Sequence, residues 1–245
     1  MKDMRLWVTR PVCDAEALRS RLVAQGHEVI AEPLLSIDFK DAGVLELTDV
    51  QGLIATSRNA VRAGVAMQQA NVMKRLPLFA VGPGTAAAAK SMGFQDVIEG
   101  PSTAQALLPI IQSHAVANGG ALLHLAGEIL AFDLADELRQ IGYRIHQVTV
   151  YVARSARELS PMLLSRMTIG TIDGVILLSP RTAQIYMDLV EAYQVRETAR
   201  HFAHFCLSQA VADRLSELQP CQIMIAQRPN VNDLLMLTGQ TTAQC

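Results

Sequence analysis

Short runs of apolar residues alternate with segments of helical periodicity along almost the whole chain. The run RLWVTR precedes CDAEALRSRLVAQG, in which apolar residues recur at helical spacing and a glycine stands at the expected C-terminal cap. The same succession continues through the runs HEVIAEPLL, GLIAT, LFAV, DVIE, ALLHLA, RIHQVTVYV, GVILLS, HFCLS and QIMIA. Strands that alternate with helices of this length form parallel sheets covered on both faces, so the pattern predicts an α/β fold.

The alternation contains an internal repeat. The strand–serine–helix pattern of GLIATSRNAV, residues 52–61, recurs in GVILLSPRTA, residues 174–183, and the segments that follow each copy also match. A third pairing relates RLWVTRPVCDAEALRSRLVAQGHEVI to ALLHLAGEILAFDLADELRQIGYRIHQV. Two similar sets of βα units predict two similar parallel-sheet lobes. Because ligands of such sheets bind outside the carboxyl ends of the strands, we expect the active site in a cleft between the lobes.

Two extended segments are candidates for the crossings between the lobes. They are AEPLLSIDF, residues 31–39, and VTVYVARS, residues 148–155, and both are β-rich and follow a helix that ends in glycine. A hinge of two adjacent strands would connect the lobes and leave their relative angle adjustable. A chain of 245 residues suits two lobes of ordinary size.

Composition narrows the function classes. Half of the residues are hydrophobic and 4% are aromatic, so aliphatic cores are expected. The formal net charge of -2 and the pI near 6.3 give no global attraction to nucleic acid or to an anionic membrane, and we expect neither as a partner. Any anion must therefore be bound by local geometry.

The sequence also predicts the compartment of the protein. The four cysteines are scattered without a C-x-x-C pair, which argues against a zinc site or a disulfide framework. The N-terminal stretch enters a strand without a signal-peptide pattern, and no apolar run is long enough to span a bilayer. We expect a cytoplasmic protein.

The sequence motifs that would indicate a cofactor or a metal are incomplete or absent. VGPGTA follows a strand but lacks G-x-G-x-x-G, and there is no Walker lysine, G-x-S-x-G elbow or kinase signature. His201 and His204 have a spacing typical of metal ligands on a helix, but no third ligand accompanies them, so a surface pair is expected. No cofactor and no metal are predicted.

Hydroxyl groups, glycines and arginines cluster at seven predicted strand-to-helix junctions. The candidate substrate-binding residues there are Arg10, Ser57, Arg58, Asn59, Gly82, Thr85, Ser102, Thr103, Gly127, Ser179, Arg181 and Ser208. A helix N-terminus offers unpaired backbone N–H groups and a positive dipole end, which suit carboxylate or phosphate. The alternative for each hydroxyl is helix capping, which contributes about 1 kcal/mol, and the alternative for each arginine is a solvated surface position.

Tyr151 is the candidate catalytic residue. It lies on the apolar second crossing segment, where it could be a core residue with a satisfied hydroxyl or a proton donor aimed at a ligand. Two function classes stay open on these residues. One is an enzyme that works by positioning a small polyanionic substrate, and the other is a two-lobed binding or regulatory protein without catalysis.

At these same positions the chain resembles the uroporphyrinogen-III synthase family. The motifs that carry the resemblance, in order along almost the entire chain, are VTRP, EPLLSI, TSRNAV, FAVGPGTAAAAKSMGF, LHLAGE, GYRIHQVTVY, DGVILLSPRTA and CLSQAVADRL. The resemblance implies two α/β lobes joined by a two-stranded β connector. The implied ranges are 1–34 with 154–245 for one discontinuous lobe, 39–148 for the other, and 35–38 and 149–153 for the connector strands.

The resemblance also implies a reaction. Hydroxymethylbilane would be cyclised to uroporphyrinogen III with inversion of ring D and loss of water, in haem, sirohaem, cobalamin or chlorophyll biosynthesis. The substrate carries acetate and propionate arms, and its loss of hydroxyl gives an azafulvene that closes through a spiro intermediate. Because the substrate reacts to the non-inverted isomer on its own, the enzyme mainly selects geometry. A monomer that receives its substrate from hydroxymethylbilane synthase is expected.

This chain matches some of the site residues of the family and departs from others. Tyr151 matches the tyrosine that would assist departure of the hydroxyl, Thr85 matches a threonine of the first Gly-rich turn, and Ser57 and Ser179 match the hydroxyls after the paired strands. Val211 stands where many members have threonine, with Ser208 as the nearest hydroxyl. The segment Ile129–Phe132 is apolar where many members have an arginine-containing loop, so no carboxylate contact is expected from it.

Overall fold

The computed structural model describes residues 3–219 and 221–239; residues 1–2, 220 and 240–245, which the implied first lobe includes, lie outside this range. The strands are β1 Arg5–Val8, β2 Glu28–Ala31, β3 Leu35–Phe39, β4 Val50–Ala55, β5 Leu78–Ala80, β6 Val97–Glu99, β7 Ala121–Gly127, β8 Ile145–Ser155, β9 Gly174–Leu177, β10 Ala203–Cys206 and β11 Gln222–Ile225. The helices are α1 Val12–Ala24, α2 Arg58–Ala66, α3 Ala70–Met73, α4 Pro83–Ser91, α5 Ala104–His114, α6 Leu134–Gln140, α7 Pro161–Thr168, α8 Pro180–Ala192, α9 Arg196–Arg200, α10 Gln209–Ala212 and α11 Val231–Thr238, with a 3₁₀ segment at Asp213–Leu218.

The strands form two sheets with equivalent topology. The five-stranded sheet has the order β11-β10-β9-β1-β2, and the six-stranded sheet has the order β3-β8-β7-β4-β5-β6. The repeat found in the sequence pairs β9 with β4, β10 with β5, β11 with β6, β1 with β7 and β2 with β8. When each strand is replaced by its partner, the order of the five-stranded sheet becomes β6-β5-β4-β7-β8. This is the order of the six-stranded sheet in reverse, without β3, and it confirms the predicted α/β fold of two similar halves.

Except for the pairing of β3 with β8, the pairings within these two sheets are parallel. They include β1 with β2 and β9 in one sheet, and β7 with β4 and β8 in the other. In each sheet the strand order reverses direction at one point, between β1 and β9 in the first and between β4 and β7 in the second. Ligands of open α/β sheets bind outside the carboxyl ends of the strands at such a switch point.

Contacts divide the chain into two compact units. Unit 1 comprises residues 1–36 and 154–245, and unit 2 comprises residues 37–153. The chain therefore passes from unit 1 to unit 2 within β3 and returns within β8, and these two strands are neighbours in the six-stranded sheet. Lys40 N–H donates to the carbonyl of Val150 and Ala156 N–H donates to the carbonyl of Leu34, at 2.9 and 3.0 Å.

Each central strand is buried on both faces, which explains its continuous run of apolar residues. All seven residues of β7 are buried. Leu123 and Leu125 pack in the cluster that includes residues of α2 and α4, whereas Leu122 packs in the cluster that includes residues of α5 and α6. In unit 1, Val175 and Ile176 of β9 divide in the same way between two clusters. No helix among the described residues is long and apolar enough to cross a bilayer.

Two features of unit 1 differ from the sequence-based expectation. Helix α7 was not part of the predicted alternation, because it has no counterpart before β4 in the other copy of the repeat; Ser160 caps it by accepting the Leu163 N–H at 3.1 Å. The expected surface pair of histidines is wrong. His201 is exposed, but His204 is fully buried on β10, where its Nε2 lies 3.0 Å from the hydroxyl of Tyr186.

Candidate functional site

A pocket opens in unit 2 at the carboxyl ends of β4 and β7, where the strand order reverses. We call it the tyrosine pocket; its volume is about 550 Å³, within the usual range for small-molecule sites. The lining residues are Thr56, Val81, Ser102, Thr103, Ala104, Gln105, Gly127, Ile129, Leu130, Ala131, Phe132 and Tyr151. This set contains no charged side chain, so an anion in the tyrosine pocket would be held by neutral donors.

One wall of the tyrosine pocket is the start of helix α5. Thr103 is the N-cap, and its Oγ1 accepts the backbone N–H of Ala106 at 3.2 Å. Ala104 and Gln105 are the first two residues of the helix, whose N–H groups have no carbonyl acceptor within a helix, and both residues line the pocket. Within the described range, the capping hydroxyl thus occupies the third N–H of α5 and leaves the first two without a partner.

Another part of the lining is apolar. It is formed by residues 129–132, which lie in the loop between β7 and α6. Ile129 is 70% exposed and Phe132 is half-buried against the cluster beneath α5 and α6. This loop is the segment in which the sequence departs from the arginine-containing pattern, and its apolar side chains offer no charged partner to a carboxylate.

Tyr151 belongs to the same lining. It is half-buried, its ring packs against the hydrophobic cluster that contains Leu125 and Val150, and its phenol contributes to the pocket lining. The ladder between β7 and β8 is irregular here, because Ala126 pairs with Thr149 but Gly127 pairs with Tyr151. Such a bulge redirects the side chain that follows it.

A second pocket adjoins the tyrosine pocket and shares Thr56, Val81 and Ser102 with it. We call it the α4 pocket; its volume is about 320 Å³. The residues specific to it lie at the starts of two helices and are Ser57, Arg58, Gly82, Pro83, Gly84 and Thr85.

Close backbone contacts shape the α4 pocket. Ser57 caps α2 by accepting the Asn59 N–H at 3.0 Å. Gly82 is the N-cap of α4, and a Cβ atom there would lie 2.8 Å from the Cα of Ser102. Ser102 itself has a φ of 82°, which is unusual for a residue other than glycine, and its N–H donates to the carbonyl of Val81 at 2.7 Å.

Three titratable residues of β7 and of the loop that follows it lie outside the lining of the tyrosine pocket. Glu128 forms an ion pair with Lys40 at 3.2 Å, and the Asp133 carboxylate caps α6 by accepting the Asp136 N–H at 3.0 Å. His124 of β7 is buried, and desolvation lowers the pKa of its imidazole, with Nδ1 lying 3.3 Å from Gln147 Oε1. The histidine is therefore neutral at physiological pH.

The predicted residues of unit 1 lie at the carboxyl ends of β1, β9 and β10. Ser179 caps α8, where its Oγ accepts the Thr182 N–H at 3.1 Å, and exposed Arg181 is the second residue of that helix. Ser208 precedes α10 but makes no capping hydrogen bond with its side chain. Arg10 forms an ion pair with Asp14 at 3.6 Å, so its guanidinium is already next to a carboxylate.

The structure thus brings together most of the residues predicted in unit 2. Ser102, Thr103, Gly127 and Tyr151 share the tyrosine pocket, and Ser57, Arg58, Gly82 and Thr85 share the α4 pocket with Ser102. Asn59 is in neither lining; its side-chain oxygen accepts from Arg62 at 3.0 Å. Gly127 does not begin a helix, because α6 starts only at Leu134.

The sequence-based reasoning missed Thr56, Val81 and Gln105. Each of them is adjacent to a residue that was selected, or one position further along. The sequence therefore pointed to the correct junctions. It did not identify these three residues, because no periodic pattern distinguishes the residue next to a junction from its neighbours.

Comparisons with known proteins identify the family. Two solved structures are similar to almost the full chain, each at 17% identity. The uroporphyrinogen-III synthetase of Helicobacter pylori has a TM-score of 0.66, and the match covers 98% of this chain and 99% of that one. A mutant uroporphyrinogen III synthase of Thermus thermophilus has a TM-score of 0.55, and the match covers 97% of this chain and 98% of that one. At this identity they establish the fold. A search of curated proteins finds no match. A family model described as uroporphyrinogen-III synthase HemD matches residues 16–236, and the chain therefore belongs to the uroporphyrinogen-III synthase family.

Proposed function

We propose that the chain catalyses the reaction of its family, the cyclisation of hydroxymethylbilane to uroporphyrinogen III with inversion of ring D and loss of water, and that the reacting end of the substrate binds in the tyrosine pocket. The observation that carries this assignment is the lining of that pocket. It combines a phenol, the start of a helix and an apolar wall. A tetrapyrrole precursor has a leaving hydroxyl, carboxylate arms and pyrrole faces, which correspond to these three features.

Tyr151 is the proposed proton donor. Its phenol donates a proton to the departing hydroxyl, so that the C–O bond breaks, water leaves and an azafulvenium cation forms. The pyrrole N–H then gives its proton to the phenolate, which restores the phenol and leaves the neutral azafulvene. The substituted carbon of ring D then attacks, and the spiro intermediate rearranges to the inverted macrocycle. General acid catalysis of this kind contributes about 10²- to 10⁴-fold to a rate. The uncharged lining limits competing solvation of the reactive intermediate.

The polar groups around the pocket are the proposed anchors of the acetate and propionate arms. At α5 they are the N–H groups of Ala104 and Gln105 together with Ser102 and Thr103. The α4 pocket would take further arms through Ser57, Arg58, Gly82 and Thr85. In unit 1, Ser179, Arg181, Ser208 and Arg10 are proposed contacts, and Asn59 is proposed to act through Arg62 rather than directly. Helix starts and neutral hydroxyls bind carboxylates without requiring a basic protein.

The first experiment is an isomer assay. Hydroxymethylbilane is generated in situ in the presence of the protein, and the oxidised products are separated into isomers I and III. We expect isomer III to dominate. If isomer I alone forms, as in the protein-free control, the chain is not an active synthase; uroporphyrinogen III that raises the melting temperature without turnover would then support the alternative, a non-catalytic tetrapyrrole-binding protein.

The role of the phenol is tested by Tyr151→Phe. We expect a fall of about 10²-fold or more in the rate of isomer III formation, with product affinity unchanged. Tyr143→Phe is the matched control, because it removes a phenol hydroxyl from the same unit that donates to the carbonyl of Ala115 at 2.9 Å, outside the pocket lining. Equal rates for wild type and Tyr151→Phe would remove Tyr151 from the mechanism.

The α5 start is tested by Ala104→Asp. A carboxylate in the first turn stabilises a helix by about 0.3–1 kcal/mol, so the unfolding free energy should rise or stay level. The same charge would repel a substrate arm and raise KM, whereas Ala104→Asn should change KM much less. A KM that is unaffected by the aspartate would show that no carboxylate binds at this helix.

We further propose a cytoplasmic, monomeric enzyme that needs no cofactor and receives its substrate from hydroxymethylbilane synthase. The support for cofactor independence is chemical, since the substrate supplies its own reactive azafulvene. Activity that survives exhaustive chelation and dialysis, and a light-scattering mass equal to the 26.6 kDa of one chain, would agree with this proposal. Direct transfer predicts that an inactive variant of this chain, added as a competitor, slows capture of the substrate by the wild type.

A further inference from the structure

We propose that Gly127 is a positioning residue that acts through Tyr151. Because glycine has no side chain, it leaves space for the phenol over the backbone of β7. The bulge that begins beside Gly127 directs the phenol into that space and into the tyrosine pocket. The proposal rests on the role given to Tyr151 above. It assigns to Gly127 a function other than contact with the substrate.

The geometry at Gly127 excludes any other residue without movement of the phenol. A Cβ atom at this position would lie 2.7 Å from Cζ, 2.8 Å from the hydroxyl oxygen and 3.1 Å from Cε1 of Tyr151. Non-bonded carbon atoms are at their optimum near about 3.5–4.0 Å. All three contacts involve the hydroxyl end of the ring, so Gly127 contacts the part of Tyr151 that would deliver the proton.

The bulge explains why the phenol lies there. Between the pairs Ala126–Thr149 and Gly127–Tyr151, strand β8 contains one extra residue, Val150. The N–H of Glu128 donates to the carbonyl of Tyr151 at 3.0 Å and fixes the backbone on the far side of the bulge.

The other side of the ring has little freedom. Tyr151 packs against a cluster that includes Leu125 and buried Val150. A side chain at position 127 would therefore push the hydroxyl along the pocket rather than into the core, and the displacement needed to restore normal contact is about 0.7 Å or more. A misplacement of about 1 Å can reduce a rate by about 10²-fold.

A double-mutant cycle tests this coupling. Gly127→Ala should reduce the rate of isomer III formation by about 10- to 100-fold in the wild-type background, and by less than about 2-fold in the Tyr151→Phe background. Gly239→Ala is the matched control, because its Cβ would have no neighbour closer than 3.6 Å and it lies outside the proposed site. Equal rate losses for Gly127→Ala in both backgrounds would overturn the proposal, because Gly127 would then act independently of the phenol hydroxyl.

A second readout does not depend on activity. In protein labelled with 3-fluorotyrosine, the resonance of Tyr151 is assigned from its absence in Tyr151→Phe. Gly127→Ala should shift that resonance and leave those of the other tyrosines in place. An unshifted resonance would overturn the proposal even if activity fell. If wild type formed isomer I alone, the proposed function would fail, and the fluorine shift would still decide the placement of the phenol.

A stability cycle covers the case in which Gly127→Ala does not fold. The double variant with Tyr151→Ala removes the ring atoms that the new methyl group would meet, so it should fold again and unfold with the free energy of Tyr151→Ala alone. A double variant that stays unfolded would place the conflict elsewhere and would contradict the proposal.

Discussion

Replacement of His204 by glutamine should remove a defined part of the acid sensitivity of this protein. The imidazole lies on β10 and has no exposed surface. Its Nε2 lies 3.0 Å from the hydroxyl oxygen of Tyr186, and its Nδ1 lies 3.3 Å from the carbonyl oxygen of Gln222. The rings of His204 and Tyr186 meet edge-on at 5.6 Å, and Tyr186 meets Trp7 in the same way. This cluster holds a neutral histidine and offers no counter-charge to a protonated one.

The magnitude follows from the shift of the His204 pKa. Desolvation lowers this pKa from 6.5 to about 4. Because the folded pKa lies below the unfolded one, the stability is fully present above about pH 6.5 and is lost as the pH falls, until the folded protein also binds the proton near pH 4. At about 1.4 kcal/mol for each pH unit, the full loss is about 3 kcal/mol, most of which is reached by about pH 4.5.

The assay is urea unfolding of the wild type and His204→Gln at about pH 7.5 and about pH 4.5. Glutamine keeps a polar group near the Tyr186 hydroxyl and cannot be protonated. The carboxylates and the other buried histidines titrate in both proteins, so their contributions cancel in the difference. We expect the stability advantage of the wild type to fall by about 2.5 kcal/mol between the two pH values. A difference that is independent of pH would refute the assignment of a buried, neutral His204.

Two matched pairs of variants test the junctions themselves. Gly82→Ala should destabilise the protein by about 1–3 kcal/mol in thermal or urea unfolding, because the new Cβ would lie 2.8 Å from the Cα of Ser102. Gly84→Ala should be neutral or slightly stabilising, because its Cβ would have no neighbour within 4 Å. Equal effects of the two substitutions would contradict the close approach of Gly82 to Ser102. Ser179→Ala should cost about 1 kcal/mol of unfolding free energy because its Oγ caps α8, and Ser208→Ala should cost almost nothing because its side chain makes no capping bond; a reversed order would contradict the cap assignments.

The sequence predicts the architecture well because the relevant signals are local or repeated. Apolar runs and helical periods depend on near neighbours along the chain, and they place the strands and most of the helices. The repeat does more, since it relates two halves and thereby anticipates the shared strand order of the two sheets. Helix α7 was not predicted because the repeat has no matching helix before β4.

The sequence does not predict contacts that depend on strand register. His204 is spaced like a surface residue relative to His201, but the residues of β10 pack in hydrophobic clusters on both faces of the sheet, and all four are buried. The contact between Gly127 and Tyr151 likewise joins residues that are distant in sequence, and it requires the bulge at that point of the ladder. No local pattern encodes a one-residue shift between two strands.

Capping and anion binding looked like alternatives in the sequence, but at α5 the structure makes them compatible. The Thr103 hydroxyl accepts the N–H of Ala106, and Ala104 and Gln105, the first two residues of the helix, line the tyrosine pocket. Helices α4 and α8 begin with proline, which has no N–H, so each has one donor fewer in its first turn. A carboxylate arm therefore finds more backbone donors at α5 than at either proline-initiated helix. If the arms are held as proposed, a substitution at the start of α5 should weaken substrate binding more than the equivalent change at α4 or α8.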